Sequence, residues 1–234
     1  MTYITWLTNL TLLTIKVNCG ELIVANIERR ERDREEMRTN ILDAARELFA
    51  QFGYDEVTMR KVAEKIEYSP TTIYLYFRDK ETLIRELCAH DFLELAGKFQ
   101  RIASVRDPIE RLRKIGLAYL HFGLDHPNHY RLMFMTSNPY DDPAEMDLDQ
   151  GNPSEDAYAF LKVSVQEALQ AGCFRVELKD VDLLAQTLWA GMHGVISLHI
   201  AKQDDAWVEW SPMKRRADLM IDALIVGLTK PVTK

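Results

Sequence analysis

The side chains best suited to recognising another molecule lie between Thr58 and Lys80, in the stretch TMRKVAEKIEYSPTTIYLYFRDK. Its hydroxyl, phenol, guanidinium and ammonium groups supply hydrogen-bond donors and positive charge. Such groups contact base edges and phosphate oxygens when a short helix presents them to the major groove of DNA. The stretch carries five Lys or Arg against three Asp or Glu, so its net charge of +2 suits an anionic partner.

Two short helices joined by a tight turn are predicted to position these groups. Thr58 is a suitable N-cap for the first helix, and Ser69 caps the second, with Pro70 at its first position. The turn is Glu67-Tyr68. The apolar stripe of the first helix consists of Met59, Val62, Ala63 and Ile66, and the second helix points Ile73 and Phe77 inward. This is the pattern of a helix-turn-helix.

The geometry of a helix-turn-helix predicts two kinds of DNA contact. The N-terminal turns of the second helix enter the groove, so their side chains read base edges, whereas hydroxyl and ammonium groups nearby fix the register on phosphates. The predicted base contacts are Pro70, Thr71, Tyr74 and Leu75. The predicted phosphate contacts are Thr58, Thr72, Tyr76 and Lys80.

From Arg38 to about Leu87 the chain resembles the DNA-binding domain of TetR (tetracycline-repressor-like) transcriptional regulators. The resemblance rests on the helix ILDAARELFAQFGY, on Thr-x-Arg-x-Val-Ala, and on Ser-x-x-Thr-Ile-Tyr-x-Tyr-Phe-x-x-Lys. It implies a homodimer that binds a palindromic operator, most often as a repressor, and it adds Arg60 as a guanine-reading residue. Residues 28–90 carry 12 Lys or Arg against 14 Asp or Glu, so we expect binding to need a dimer and to weaken steeply with salt.

Composition and periodicity predict an all-α protein, and the resemblance implies an N-terminal three-helix DNA-binding domain and a C-terminal helical ligand-binding and dimerisation domain. In the 234 residues Gly and Pro are sparse, helical periodicity dominates, and the net charge is −7. We place the domains at 28–90 and 91–234. Three widely spaced cysteines fit a reducing cytoplasm. No phosphate loop, zinc-protease motif or nucleophile elbow occurs, so we expect no catalytic residues, no cofactor and no enzyme.

Residues 1–27 form an extension of doubtful role ahead of this pattern. They are apolar and threonine-rich, with no positive charge before Lys16, which argues against a signal peptide. Thr and Asn dilute the apolar run below what a membrane span needs. An upstream-translated or disordered segment, an ordered extra element and a weak membrane anchor remain open, and we expect no membrane partner. The arm Glu28–Glu36 has mixed charge and is predicted to be a frayed helix start.

The last two helices are predicted to form a dimer interface. On the first, Val181, Ala185, Leu188, Met192 and Val195 repeat at alternating spacings of four and three. On the second, the row consists of Met220, Ala223 and Gly227. These helices resemble the four-helix interface of TetR-family dimers, and the run TLWAGMHGVISL is similar to a Trp-x-x-x-His-Gly pattern in one group of their C-terminal domains.

Aromatic residues between the helices are predicted either to be simple core or to line a pocket for an unknown small, apolar or aromatic effector. The candidates are Tyr119, Phe122, Tyr130, Met133, Phe134, Trp189 and His193. The scattered histidines favour hydrogen-bonded roles over a metal site, and the acidic segment 136–153 matches no calcium loop. A DNA-binding protein without small-molecule input, or one that senses a protein partner, is the other regulatory alternative.

Overall fold

The computed structural model describes residues 4–135 and 149–230, with side chains from residue 24 onward. These residues form nine helices and one isolated antiparallel bridge, Phe174 with Thr229, which confirms the all-α prediction. The helices are α1 Ile4–Glu56, α2 Met59–Lys65, α3 Pro70–Tyr74, α4 Lys80–Gln100, α5 Pro108–Asp125, α6 Pro127–Phe134, α7 Ala157–Gln170, α8 Val181–Lys202 and α9 Met213–Leu228.

Helix α1 is longer than the predicted first helix, because it runs without a break through the arm 28–36, whose side chains are exposed. Near its C-terminal end Gly53 has φ +77°, a conformation that only glycine adopts without strain. The chain therefore turns there towards α2. The side chains of residues 1–23 lie outside the described part, so the role of the 1–27 extension stays a prediction.

The helix starts around the turn are fixed by local side-chain caps, as predicted. The Lys61 N–H donates to Thr58 Oγ1 at 3.2 Å, and the Thr72 N–H donates to Ser69 Oγ at 3.2 Å. Asp79 accepts from the Thr82 N–H at 2.7 Å at the start of α4. Hydrogen bonds from the Thr82 side chain, the Thr82 backbone and Arg78 lower the pKa of Asp79 to about 2. Each cap satisfies a backbone donor that a helix start leaves unpaired.

Two apolar cores share helix α4. The first core joins α1, α2, α3 and the first half of α4, and includes Phe49, Ile73, Phe77 and Leu87. The second joins the second half of α4 to α5 through α9. Leu132 of α6 lies in the first core, while Tyr130, two residues earlier, lies in the second. Helices α4 and α6 therefore contact both halves of the molecule.

A buried ion pair ties α1 to α4 beside α6. The Arg46 guanidinium donates to both carboxylate oxygens of Asp91, at 2.8 and 3.2 Å, and Asp91 is fully buried. His129 Nδ1 of α6 lies 3.1 Å from Asp91 Oδ1, although its angle is too poor for a good hydrogen bond. Burial raises the pKa of Asp91, but His129 and Arg46 outweigh that effect and leave it below its ordinary value.

Candidate functional site

Helix α3 presents a small surface of polar and apolar groups on a rigid base. Ile73 and Phe77 are completely buried in the first core, so they fix the orientation of the helix. On the outer side the Tyr74 side chain is 54% exposed and Leu75 is 72% exposed. The other predicted base contacts, Pro70, Thr71 and Arg60, are also exposed. All five predicted base contacts therefore face solvent, and their role stays a prediction.

The predicted phosphate contacts differ in solvent exposure and in the hydrogen bonds that they already make. Thr58 is exposed, but Thr72 and Tyr76 are half-buried, and the Thr72 hydroxyl lies 2.9 Å from Ser69 Oγ. Arg60 makes an exposed ion pair with Glu64 at 2.9 Å, which a phosphate or base can replace at little cost.

Lys80 has a structural role that its sequence position does not show. Its ammonium donates to the carbonyl oxygens of Tyr54 at 2.8 Å and Val57 at 3.0 Å, and lies 3.8 Å from the centroid of the Tyr54 ring. These bonds hold the C-terminal end of α1 and the residue after it against the start of α4. Two of its three donors are used in this way, so its predicted phosphate contact rests on the remaining one.

A cavity of about 390 Å³ opens in the second core, within the range of small-molecule sites. Its wall is mostly apolar and aromatic and comes from α4 to α9 and the residues before α7. The lining residues are Phe92, Leu95, Phe99, Leu112, Ile115, Gly116, Tyr119, Met133, Phe134, Gln150, Glu155, Asp156, Ala157, Tyr158, Leu161, Leu188, Trp189, Met192, Ile221 and Leu224.

Four of the seven predicted pocket residues line this cavity, namely Tyr119, Met133, Phe134 and Trp189. The prediction is corrected for the other three. Phe122, Tyr130 and His193 lie behind the wall, and Phe122 and Tyr130 are completely buried. Sequence reasoning missed the α4 residues Phe92, Leu95 and Phe99. Their spacing of three and four was a usable signal, since it marks one face of a helix.

A chain of hydrogen bonds runs behind the cavity wall. Trp189 Nε1–H donates to the Tyr119 hydroxyl at 3.0 Å, and Tyr119 donates to the Tyr130 hydroxyl at 2.9 Å. Tyr130 in turn lies 2.5 Å from His193 Nδ1. Burial raises the pKa of Tyr119 to about 12, raises that of Tyr130, and lowers that of His193. A neutral His193 accepts from Tyr130, so the network orients the wall without carrying charge.

The predicted dimer residues of α8 need correction. Ala185, Leu188, Met192 and Val195 are at most 8% exposed and pack in the core of their own chain, so a partner cannot reach them. Val181 and Met220 are half-buried against the same core, whereas Ala223 and Gly227 of α9 are exposed. Of the predicted interface residues, Ala223 and Gly227 are the ones exposed to contact by a second chain.

The opposite faces of α8 and α9 form an exposed apolar stripe. Its larger side chains are strongly exposed: Leu183 at 54%, Leu198 at 47%, Leu219 at 71% and Val226 at 74%. Small exposed residues lie between them, which lets another helix approach closely. The stripe consists of Leu183, Ala190, Gly194, Leu198, Leu219, Ala223, Val226 and Gly227. Helices α8 and α9 approach each other at Gly191, where a Cβ would lie 2.6 Å from Leu224 Cδ1 unless that side chain moved.

The described residues offer neither a metal site nor a membrane span. None of their groups of His, Cys, Asp and Glu could hold a metal ion. Among the helices whose side chains are described, none has both the length and the apolarity to cross a membrane. The part of the acidic segment from 136 to 148 lies outside the described residues.

Comparison with known proteins matches both halves of the chain to one family. The profile described as "Bacterial regulatory proteins, tetR family" matches residues 41–87, and "Tetracyclin repressor-like, C-terminal domain" matches residues 112–224. The repressor Rv1474c of Mycobacterium tuberculosis is 39% identical over 64 residues, 27% of this chain and 34% of its own length. The chain thus spans about a third of the length of the first curated relatives it matches.

Solved structures show the same fold over most of the chain. A TetR family transcription regulator from Marinobacter aquaeolei has a TM-score of 0.69 at 20% identity, covering 86% of this chain and all of its own. FadR of Bacillus subtilis, in complex with stearoyl-CoA, has a TM-score of 0.63 at 19% identity, covering 81% of this chain and 98% of its own. The chain belongs to the TetR family, whose members among its relatives are transcriptional regulators and not enzymes.

Proposed function

We propose that this protein is a cytoplasmic transcriptional repressor that binds a palindromic operator as a homodimer and releases it when a small apolar or aromatic effector fills the cavity. The single observation that carries the proposal is the exposed face of α3. This five-residue helix and the turn after it have two completely buried anchors, Ile73 and Phe77, and gain nothing in the free protein from exposing Tyr74 and Leu75. The major groove offers such a helix its partner.

Helix α4 supports the coupling of effector to DNA, because it belongs to both cores. Its first half contributes Leu83 and Leu87 to the first core, which also holds Ile73 of α3, and its second half lines the cavity with Leu95 and Phe99. An effector that prefers one tilt of α4 would change the separation of the two recognition helices in a dimer. Half-sites one turn apart require about 34–36 Å between those helices, so a small tilt weakens binding.

The exposed stripe of α8 and α9 supports the dimer. It replaces the predicted seam: Leu198 on α8 and Leu219 and Val226 on α9 face away from the core of the chain. Two copies related by a twofold axis would bury the same stripe on each other, giving a four-helix interface. A dimer also adds the charges of two weakly positive helix-turn-helix faces on one duplex.

The cavity supports an apolar effector. Its wall offers aromatic and aliphatic carbon on almost every side, so burial of apolar surface would provide most of the binding free energy. FadR of Bacillus subtilis, which has a similar fold and whose structure holds stearoyl-CoA, supports a small-molecule ligand for a chain of this fold.

A gel-shift titration against the DNA upstream of the protein's own gene tests the proposal. We expect one specific complex with dimer stoichiometry, and we expect Tyr74→Ala to weaken it by about 1–3 kcal/mol and relax base preference at particular positions. Trp207→Ala is the matched control, since Trp207 is a 93% exposed aromatic residue in the loop between α8 and α9. Wild-type affinity and selectivity in the Tyr74 variant would contradict the assignment of α3 as the recognition helix.

A further inference from the structure

The charged groups on the described part of the cavity wall are all negative. Among the described residues of the wall, the charged ones are Glu155 and Asp156, and none is Lys, Arg or His. The surrounding sequence has the same sign, since residues 132–161 contain seven Asp or Glu and no basic residue. Asp156 accepts three backbone N–H groups, from Gly151, Tyr158 and Ala159. Glu155 accepts one long bond, 3.4 Å from the Asp149 N–H, so its carboxylate keeps most of its acceptor capacity.

The Trp189 and Tyr119 donors at the wall are already in use. The Trp189 indole N–H donates to Tyr119, and the Tyr119 hydroxyl donates to Tyr130. Lys162 lies outside the wall, 5.9 Å from the centroid of the Tyr158 ring, and pairs with Asp182 at 2.7 Å. A carboxylate or phosphate in the cavity would therefore lose its hydration without gaining a cation.

The aromatic wall has the opposite preference. The ring centroids of Tyr158 and Trp189 are 5.7 Å apart, and those of Trp189 and Phe134 are 6.1 Å apart, so three rings adjoin along one side. Aromatic faces attract organic cations, most strongly when water is excluded. Glu155 lies on the same cavity wall as these rings.

We propose that the effector of this cavity is a lipophilic organic cation, with an apolar or aromatic body against the carbon-lined wall and an ammonium group near the Phe134, Tyr158 and Trp189 rings and the Glu155 carboxylate. The proposal rests on the proposed function only in treating the cavity as the effector site. An acyl or aryl anion of the same size is the ligand that the wall disfavours.

Three probes that share a biphenylmethyl body and carry a cationic, a neutral or an anionic head group test the proposal by calorimetric titration of the full chain. They are 4-phenylbenzyltrimethylammonium, 4-biphenylmethanol and 4-biphenylacetate. We expect the cation to bind about tenfold more tightly than the alcohol, with the anion weakest, given one partly screened carboxylate nearby. Glu155→Gln should lower the affinity for the cation about tenfold and leave that for the alcohol within about twofold. Lys162→Gln is the matched control and should leave the cation's affinity no weaker.

Each of three results would overturn the proposal. The three probes bind with equal affinity, or the anion binds most tightly and loses affinity in Lys162→Gln, or none of the probes binds. A gel shift on the same samples separates it from the proposed function. If the cation binds best but leaves the operator complex intact, the charge preference stands and the effector response is refuted. If a different, anionic ligand releases the operator, the response stands and the charge preference is refuted.

Discussion

Replacing Asp91 by Asn should lower the free energy of unfolding, because it removes one charge of the buried pair that joins α1 to α4. Arg46 is only 6% exposed and would keep a single carboxylate partner, Asp43, whose side chain is 59% exposed. Breaking a buried pair on one side costs about 3–5 kcal/mol because the remaining charge stays buried. The asparagine oxygen can still accept a hydrogen bond and Asp43 remains, so we expect the lower end, about 3 kcal/mol.

A change of this size should be visible in thermal and urea unfolding followed by circular dichroism. At about 2–4 °C per kcal/mol for a chain of this length, the melting temperature should fall by about 6–12 °C. Asp218→Asn is the matched control, since Asp218 pairs with Lys214 at 2.6 Å on the exposed face of α9. Loss of that pair should cost about 0.5 kcal/mol or less.

The pH dependence of the Asp91 effect has a definite sign. The folded pKa of Asp91 is below its unfolded value, so its contribution to the free energy of unfolding is complete above the unfolded pKa of about 4. It is lost as the pH falls through the folded pKa. The difference in the free energy of unfolding between wild type and Asp91→Asn should therefore shrink as the pH falls below about 4. A cost under about 1 kcal/mol at pH 7 would refute this account of the junction.

Three further predictions concern Lys80, the exposed stripe and the N-terminal extension. Lys80→Ala should lower the free energy of unfolding by about 1.5–3 kcal/mol in urea without DNA, because two carbonyl oxygens lose a charged donor. An unchanged urea midpoint would refute this structural role of Lys80 and leave only its predicted phosphate contact. Leu219→Asp should give a folded monomer by sedimentation that binds the operator poorly, whereas Leu188→Asp should unfold the chain; a dimeric Leu219→Asp variant would remove the stripe from the interface. Deleting residues 1–27 should leave the operator affinity unchanged in a gel shift, and a loss of binding would make the extension structural.

The sequence by itself determined the structural elements that depend on interactions between residues close together in the chain. Thr58 and Ser69 cap their helices through bonds to backbone groups three residues away, so the residue types and their spacing were enough to place them. The same holds for the buried side of the recognition helix, where Ile73 and Phe77 are four residues apart. The resemblance to TetR-family motifs then indicated DNA as the partner, because the exposed residues of the recognition helix fit the pattern of that family.

Tertiary structure alone decided which face of a helix meets which neighbour. Helix α8 carries apolar residues almost all round, so its periodicity allowed Leu188 to face a second chain; packing against α5 and α7 turns it inward and leaves Leu183 and Leu198 outside. Lys80 finds carbonyl oxygens 23 and 26 residues earlier, and Phe99 reaches a cavity formed by helices far along the chain. Periodicity gives the angle between two faces of a helix, but the partner of each face depends on contacts between residues distant in sequence, which no local pattern specifies.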